Sequence, residues 1–490
     1  MAAPGEGTAS AQLRGAGSHA GEGVSASRAL APVLVFVALV ATAISSLGAP
    51  LLPMIVTKDH VSLAASQWAL TITLLAGAVA TPVIGRLGDG RHQRPTILAV
   101  IALTIIGCVV AALPFGFWML LTGRAMQGAA LGLVPIVTAV ARDNLPGERG
   151  RRTIATLGVT TTVGVGAGYP VAGAIAQYLG LRAPFLAAAV LAAAALVAAA
   201  RVLPSSPARR VRVDGPGAAL LGLAVIGLLL YLAEGRWVSL LWLALTSMAL
   251  LAGWVVVELR TARPLVELRL LRHRAVVAAN ITGLLIAIGF FPLTILLVRL
   301  VQTPQASGYG FGASTVVAGL MLTPFSLASL PARPVADKVA RLTSPQLVLA
   351  GSSLAVMGAM TLFAVDRSGY LPLITSSALA GFGVGCAFAV NPLQIACGVP
   401  PSETGSALSF YQLTRMVAYA LGSALSATIL AAHQAPGEPW PAGPAYADAA
   451  WICVALLAVA FFAAVIFARR PSRVGPTRLP AGTGLCQDVI

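Results

Sequence analysis

Two arginines stand inside apolar runs of this 490-residue chain, Arg124 in Phe117-Trp-Met-Leu-Leu-Thr-Gly-Arg124-Ala-Met-Gln-Gly128 and Arg415 in Leu413-Thr-Arg415-Met-Val-Ala-Tyr419. A guanidinium held in hydrocarbon costs ~2.5 to 3.5 kcal/mol by insertion scales, so it faces a cavity or finds a partner. Two chemistries suit it. The planar fork pairs with a carboxylate or phosphate, which would make these residues substrate ligands. Alternatively, helix carbonyls or the amides of Gln67, Gln127 and Gln412 satisfy each arginine, and it only packs. The 16 acids fall near span ends, in loops or in tails, with none at the depth of these arginines. A cavity built here carries fixed positive charge, so the expected substrate is neutral or bears an acidic group. Further polar candidates for its walls are Gln67, Trp68, Asn280, Asn391, Gln394, Tyr411, Gln412 and Tyr419, for each of which helix–helix hydrogen bonding is the competing role.

The elements that must position these residues follow from composition. Hydrophobic residues make up 58% of the chain and charged ones only 10%, with a mean hydropathy of +0.87. That surface is unworkable in water, which excludes a cytosolic enzyme, a nucleic-acid-binding domain and a disordered tail protein. Apolar runs long enough to cross a bilayer lie near 30–57, 65–85, 95–114, 116–141, 152–178, 183–203, 214–234, 238–259, 275–301, 312–331, 346–365, 370–397, 404–432 and 447–469. The expected fold is all-α and integral to the membrane, with fourteen transmembrane helices. A disordered cytoplasmic leader (1–29) precedes a six-helix bundle (30–203), then a linker and two-helix hairpin (204–274), a second six-helix bundle (275–469) and a cytoplasmic tail (470–490). Gly85-Arg-Leu-Gly-Asp89 after span two and Arg333-Pro-Val-Ala-Asp337 after span ten form a weak repeat, as expected of two related six-helix blocks.

Charge orients the chain. The net charge is +16, and 25 of the 32 Lys and Arg residues fall in one set of alternating loops and tails when both termini are placed inside. The positive-inside rule makes that side cytoplasmic. The excess is therefore a topological label and calls for no nucleic-acid partner. Neither Lys58 nor Lys338 follows a glycine-rich phosphate loop, and the five histidines lie in loops or tails. An ATP-driven pump and a membrane metalloenzyme are thus not expected, nor is any cofactor or metal. The five cysteines lack paired spacing and read as packing residues.

Three segments carry a family likeness: Gly85-Arg-Leu-Gly-Asp89-Gly-Arg-His-Gln-Arg94, Arg124-Ala-Met-Gln127-Gly128, and Gly164-x-x-x-Gly168-Tyr-Pro170-x-x-Gly173. In this order and in these loops and helices they resemble signature motifs of the major facilitator superfamily. With fourteen spans, and Arg263-Pro-Leu-Val-Glu-Leu-Arg-Leu-Leu-Arg272 after span eight, the chain resembles the fourteen-helix drug:proton antiporter branch. The resemblance implies a cytoplasmic gate at Gly85, Asp89 and Arg94, with Asp89 set against the positive N-terminal end of span thirteen at Gly405 and Ser406. It also implies an antiporter motif on span five at Gly164, Gly168, Pro170 and Gly173, bringing that helix close to its partner across the two halves, and proton coupling at Arg124. The family's span-one Asp is replaced here by Ile44, so a titrating carboxylate is expected at a mouth: Glu234 or Asp448 outside, or Asp89 inside. The implied function is export of drugs or secondary metabolites by proton antiport with alternating access, from a monomer in the bacterial plasma membrane. A single-metabolite exporter, an uptake carrier and a non-transporting membrane sensor are the alternatives.

Overall fold

The structure is a computed structural model that describes residues 29–61, 63–88, 92–205, 214–234, 238–261, 268–269, 274–400, 403–434 and 440–469. The leader 1–28, the tail 470–490 and Asp89 lie outside the described residues, as does most of the Arg263–Arg272 segment. Helices account for nearly everything described. The first span is α1 (Ala29–Ser46) followed by α2 (Gly48–Lys58). The break at Leu47 has a local cause: Pro50 has no backbone N–H to give to the carbonyl four residues back, at Ser46.

Next come α3 (Leu63–Gly88), α4 (Gln93–Ala112) and α5 (Phe117–Gly128), then a 3-10 turn (Ala129–Gly132) that leads into α6 (Leu133–Asn144). The α4–α5 connection turns at Gly116, whose φ of 85° suits glycine. Facing glycines draw α3, α4 and α5 together: a β-carbon at Gly123 would lie 2.5 Å from the Gly107 carbonyl oxygen, and one at Gly128 2.5 Å from that of Thr73. Small residues at helix contacts are what allow such approach in a membrane. The chain continues through α7 (Gly147–Leu179), α8 (Ala183–Val202), α9 (Gly215–Glu234), α10 (Leu241–Arg260) and α11 (Arg274–Gln302).

The tenth span is not one rod. It is built from α12 (Thr315–Leu320), α13 (Thr323–Ser329) and α14 (Ala332–Leu342), with Pro324 and Pro331 at the joints. The remaining spans are α15 (Pro345–Val365), α16 (Tyr370–Gly398), α17 (Thr404–Ala432) and α18 (Pro444–Arg469).

Among the described residues thirteen helices are long and apolar enough to cross a membrane, and the two arms of α7, bent by 44°, make fourteen when taken as one span. Three boundaries differ most from those expected. Helix α7 begins at Gly147 rather than at 152, α3 runs on to Gly88, and the tenth span, expected to end at 331, continues through α14 to Leu342. In α7 the extra turn carries Glu148, Arg149 and Arg151, charged residues that hydropathy counts against a span although a helix continues readily into the aqueous interface.

Burial follows the chain. One apolar core draws on α1 to α8, joined by Leu393 and Ala396 of α16. A second draws on α11 to α18, joined by Ala155 and Val159 of α7. Helices α9 and α10 pack as a pair: Leu221, Val225, Leu229 and Trp254 meet Ala78, Leu131, Leu413 and Met416, so the pair leans on both α3 and α17. The outer face of α10 shows Trp242, Leu245 and Met248 to the surroundings, as expected of a lipid-facing helix. Cys108, Cys386 and Cys453 are free and buried.

Candidate functional site

Arg124 is fully buried, at 0% exposure. Its Nε donates to the Ala69 carbonyl (3.0 Å), Nη1 to the Ile44 carbonyl (3.1 Å) and to Gln127 Oε1 (2.6 Å), and Nη2 to the Ser45 carbonyl (3.0 Å). Gln127 in turn donates to the Gly107 carbonyl at 3.2 Å. One guanidinium thus ties α5 to α1, α3 and, through Gln127, α4. The kink at Leu47 explains the source of two acceptors, since it loosens the helical bonding of Ile44 and Ser45 just where the arginine reaches them. Where the family pattern supplies a carboxylate side chain on span one, this chain supplies the backbone carbonyl of Ile44. Four of the five N–H groups are accepted by protein atoms, so the structure favours a clamp over a ligand group for Arg124.

Arg415 is 5% exposed and sits in an aromatic cage. Its guanidinium carbon lies 3.7 Å from the centroid of the Phe388 ring and 5.6 Å from those of Tyr411 and Tyr419. Nε and Nη2 both donate to the Tyr419 hydroxyl, at 3.1 and 2.6 Å. Tyr419 stacks on Phe291 at 4.8 Å, and Phe290 edges against both Phe388 and Tyr419. Desolvated cation–π contacts contribute about 2 kcal/mol, which offsets part of the burial cost without any acid. The sequence marked Arg415 and Tyr419; Phe388, Phe290 and Phe291 carried no local signal, because their approach depends on how α11, α16 and α17 pack.

One to two turns nearer the start of α17, several polar side chains are brought together. Asn391 (0% exposed) and Gln394 (2%) lie on α16, and Asn280 (8%) on α11. Asn391 Nδ2 donates to the Tyr411 hydroxyl at 3.3 Å, and Asn280 Nδ2 to the Val276 carbonyl at 2.9 Å. Gly283 of α11 leaves room for both Tyr411 and Asn391 beside it. Yet Asn280 Oδ1, Asn391 Oδ1, both amide atoms of Gln394 and Ser409 Oγ have no hydrogen-bond partner in the protein. Each such buried group costs about 1 to 3 kcal/mol; Asn391 lies with Tyr411 beside Gly283, and an unpaired amide oxygen there marks a site built for something other than this packing.

The loop arginines collect at one end of the molecule, where α3 and α6 finish and α7 and α17 begin; we call it the basic end. Here α3 and α6 are fastened to α17. Arg86 pairs with Glu403 at 2.5 Å and reaches Ser406 Oγ at 3.4 Å, while Arg142 donates to Thr404 Oγ1 and to the Val399 carbonyl at 2.8 Å. Gly85 lies directly against Ser409 and Gly405. A second fastening joins α7 to α14: Glu148 accepts from Arg151 and Arg152 of its own helix and from Arg341 at 2.8 Å, and Arg333 donates to the Arg152 carbonyl at 3.2 Å. None of Arg86, Glu403, Arg142 and Glu148 stood out in the sequence, although expecting the Gly85 loop against the start of α17 pointed to the right neighbourhood.

The other expected site residues are dispersed. Arg94 donates to the Ala200 carbonyl at 2.7 Å, in the last turn of α8 and so also at the basic end. Gly164 and Gly168 abut Thr42 and Ser46 of α1; the glycines of α7 that approach the second core are Gly158, against the Phe388 carbonyl, and Gly166, against Ser326 of α13 and the Leu322 carbonyl just before it. Pro170 backs Gly319 of α12, and Gly173 is buried in the same helix. Gln412 is 7% exposed and Trp68 half-buried. The side chains of Gln67 and Glu234 lie outside the described residues. Asp448, about half exposed, pairs with His433 at 3.3 Å. Among the described residues no group of three His, Cys, Asp or Glu side chains is placed to share a metal ion.

Comparison with known proteins agrees with this architecture. The chain is 27% identical over 378 residues to the multidrug resistance protein B homolog of Mycobacterium tuberculosis, covering 74% of this chain and 68% of that one. It is 27% identical over 383 residues to efflux pump dotC of the fungus Dothistroma septosporum, covering 74% and 64%. The chain thus spans about two thirds of these relatives' length. Among solved structures it superposes on the human organic anion transporter MFSD10 with a TM-score of 0.63 at 18% identity, covering 89% of this chain and 99% of that one. It superposes on the peptide transporter POT with a TM-score of 0.59 at 16% identity, covering 90% and 95%; at such identities the likeness is one of fold. The family model of the Major Facilitator Superfamily matches residues 34–423 and 303–484, so this multi-pass membrane protein belongs to that superfamily of transporters.

Proposed function

We propose that this chain exports small neutral or acidic molecules from the cytoplasm by proton antiport, through rocking of one six-helix bundle (α1 to α8) against another (α11 to α18), with α9 and α10 as an inserted hairpin. The observation that carries this reading is the chemistry of the basic end. The contacts across it are ion pairs and hydrogen bonds, Arg86 to Glu403, Arg142 to Thr404 and Glu148 to Arg341, which water can replace when they part. Loop charge supports placing that end in the cytoplasm, and on this reading the fastened arrangement corresponds to a cytoplasm-closed state of an alternating-access cycle. The names of the relatives, a multidrug resistance protein and an efflux pump, support export over uptake.

In this scheme the unpartnered amide oxygens of Asn280 and Asn391 and the amide of Gln394 are hydrogen-bonding groups for substrate, shut away here and exposed once the basic end opens. Arg415 supplies positive potential at greater depth. No described acid lies at that depth, so proton uptake falls to carboxylates at the margins: Asp448, or Glu234 and Asp89. The described pair Asp448–His433 at the outer end is the first to examine.

Two measurements test the reading. In proteoliposomes, a neutral or anionic compound is expected to accumulate when a pH gradient is imposed, and lipophilic monocations are not. Uptake that survives collapse of the gradient would remove proton coupling, and a panel in which no compound moves would favour a membrane sensor. Separately, Asn391→Leu with Gln394→Leu is expected to raise the thermal unfolding midpoint while lowering transport. The closed state would shed about 1 to 3 kcal/mol of unpaired polar burial per group, and the open state would lose its ligand contacts. A double variant that transports at the normal rate would place substrate elsewhere.

A further inference from the structure

The guanidinium of Arg415 is held on one face and along one edge. Phe388 covers the face at 3.7 Å, and the Tyr419 hydroxyl accepts from Nε and Nη2. A guanidinium carries five N–H groups fixed in one plane. Nε–H and one Nη2–H run side by side along the edge that Tyr419 takes. The second Nη2–H and one Nη1–H run side by side along the next edge, and that pair matches the two oxygens of a carboxylate. Tyr411 and Tyr419 stand one turn before and one turn after Arg415 on α17, so their hydroxyls approach it from opposite sides. The Tyr411 hydroxyl is a single oxygen that already accepts from Asn391 at 3.3 Å. Among the described residues no acceptor meets both N–H groups of the Nη1–Nη2 edge, although Arg415 is only 5% exposed.

The surroundings of that edge narrow what it takes. One guanidinium neutralises one negative charge, whereas a phosphate monoester carries about −1.5 to −2 at neutral pH and would bring an uncompensated excess into an apolar interior. Shape agrees with charge. The edge lies in the plane stacked on Phe388, so a planar acceptor meets both N–H groups at once, while a tetrahedral one turns oxygens toward aromatic rings. Those rings are numerous: Phe290 packs on Phe291, Phe325 and Phe388, and Phe291 stacks on Tyr419 at 4.8 Å. Phe291 and Tyr419 are both half-buried, which leaves ring surface beside the cation for a flat apolar body. We propose that the interior takes aromatic monocarboxylates, the carboxylate bidentate on the Nη1–Nη2 edge of Arg415 and the ring against Phe291 and Tyr419. This assignment rests on the reading of the interior as a substrate path and names the class of molecule that path accepts.

The test is direct binding to the detergent-purified full chain, measured by equilibrium dialysis with four probes: 2-naphthoate, its neutral analogue 2-naphthamide, 2-naphthyl phosphate and decanoate. 2-Naphthoate should bind roughly tenfold or more tighter than the amide and the phosphate, and severalfold tighter than decanoate, an acid without a ring. Arg415→Gln should bring 2-naphthoate down to the level of the amide. Arg415→Lys keeps the charge but has no paired edge, so it should bind 2-naphthoate and 2-naphthyl phosphate about equally. An arginine that only packs would leave these ratios unchanged in any variant that folds. Should Arg415→Gln fail to fold, the four affinities of the unmodified protein and those of Arg415→Lys still decide. No binding of 2-naphthoate, equal binding of acid and amide, tighter binding of the phosphate, or an undiminished preference in Arg415→Lys would overturn the proposal. Binding and flux fail separately. A chain that shows the preference yet moves no compound across vesicles retains this site and loses the export reading. One that exports 2-naphthamide as fast as 2-naphthoate and binds the two alike retains export and loses the site.

Discussion

Arg124→Ala is expected to lower the yield of folded protein severalfold and to depress its unfolding midpoint by several degrees, a larger effect than any other single side-chain truncation in the first core. The substitution leaves the carbonyls of Ile44, Ser45 and Ala69 and the Gln127 amide oxygen without the donors they have now. In water such groups would be resolvated. Within a membrane helix bundle they must find other protein partners, and each interhelical hydrogen bond there contributes about 0.6 kcal/mol on average and up to ~1.7. Four lost together, with the space left by a fully buried guanidinium, approach several kcal/mol, a large part of the ~5 to 15 kcal/mol that stabilises a typical protein. Lysine is not a substitute. Its ammonium is a point donor, whereas the acceptors lie on α1, α3 and α5 around a planar fork. Arg124→Lys should therefore recover only part of the midpoint. The measurement is thermal unfolding of detergent-purified protein alongside transport in vesicles. A variant that folds with full stability yet no longer carries an anionic compound would make Arg124 a substrate ligand instead of a clamp.

This residue also shows how far the sequence reaches. The cost of a buried cation singled out Arg124, and counting the acids correctly indicated that no carboxylate would meet it. What takes a carboxylate's place could not be read, because the direction of the Ile44 and Ser45 carbonyls depends on where α1 kinks and on which helix stands opposite. Most spans were legible from composition to within a few residues. Their charged extensions were not: α14 carries the tenth span on to Leu342, and the first turn of α7 carries Glu148, which meets Arg341 across the molecule. Helix faces raise a related difficulty. Spacing alone identified Gly164 and Gly168 as a small-residue face of α7, and the structure sets that face against α1. Gly158 and Gly166, at other angles around the same helix, meet α16 and α13. Each residue advances the helix by about 100°, so a motif fixes a stripe but not the neighbour that covers it. Arg415 is the third case. Two of its aromatic partners, Tyr411 and Tyr419, lie one turn away on its own helix, but nothing near Arg415 in the chain announces Phe388 of α16, whose ring it covers, or Phe291 of α11, which stacks on Tyr419.

Gly85→Ala tests the closing contact itself and should abolish transport in a protein that still folds. A β-carbon at this position would sit 1.7 Å from Ser409 Oγ, 2.5 Å from Ser409 Cβ and 2.8 Å from the Gly405 carbonyl oxygen. The first two atoms belong to a short side chain and the third to backbone, so α3 and α17 must separate at the basic end to admit even one methyl group. That separation lengthens the Arg86–Glu403 pair, now 2.5 Å, and exposes the first turn of α17 to water. The fold survives because the apolar cores on either side do not depend on Gly85. A cysteine placed at Ser406, 1% exposed now, should react with a membrane-impermeant maleimide severalfold faster in inside-out vesicles when Gly85→Ala is present. The geometry also predicts the rescue. Ser409→Gly removes the two nearest atoms, so the pair Gly85→Ala, Ser409→Gly should regain part of the closure and part of the transport, limited by the Gly405 carbonyl that remains. Undiminished transport by Gly85→Ala alone would mean that this end need not close during the cycle. Lost transport with unchanged labelling at position 406 would mean that Gly85 acts through something other than the separation of α3 from α17.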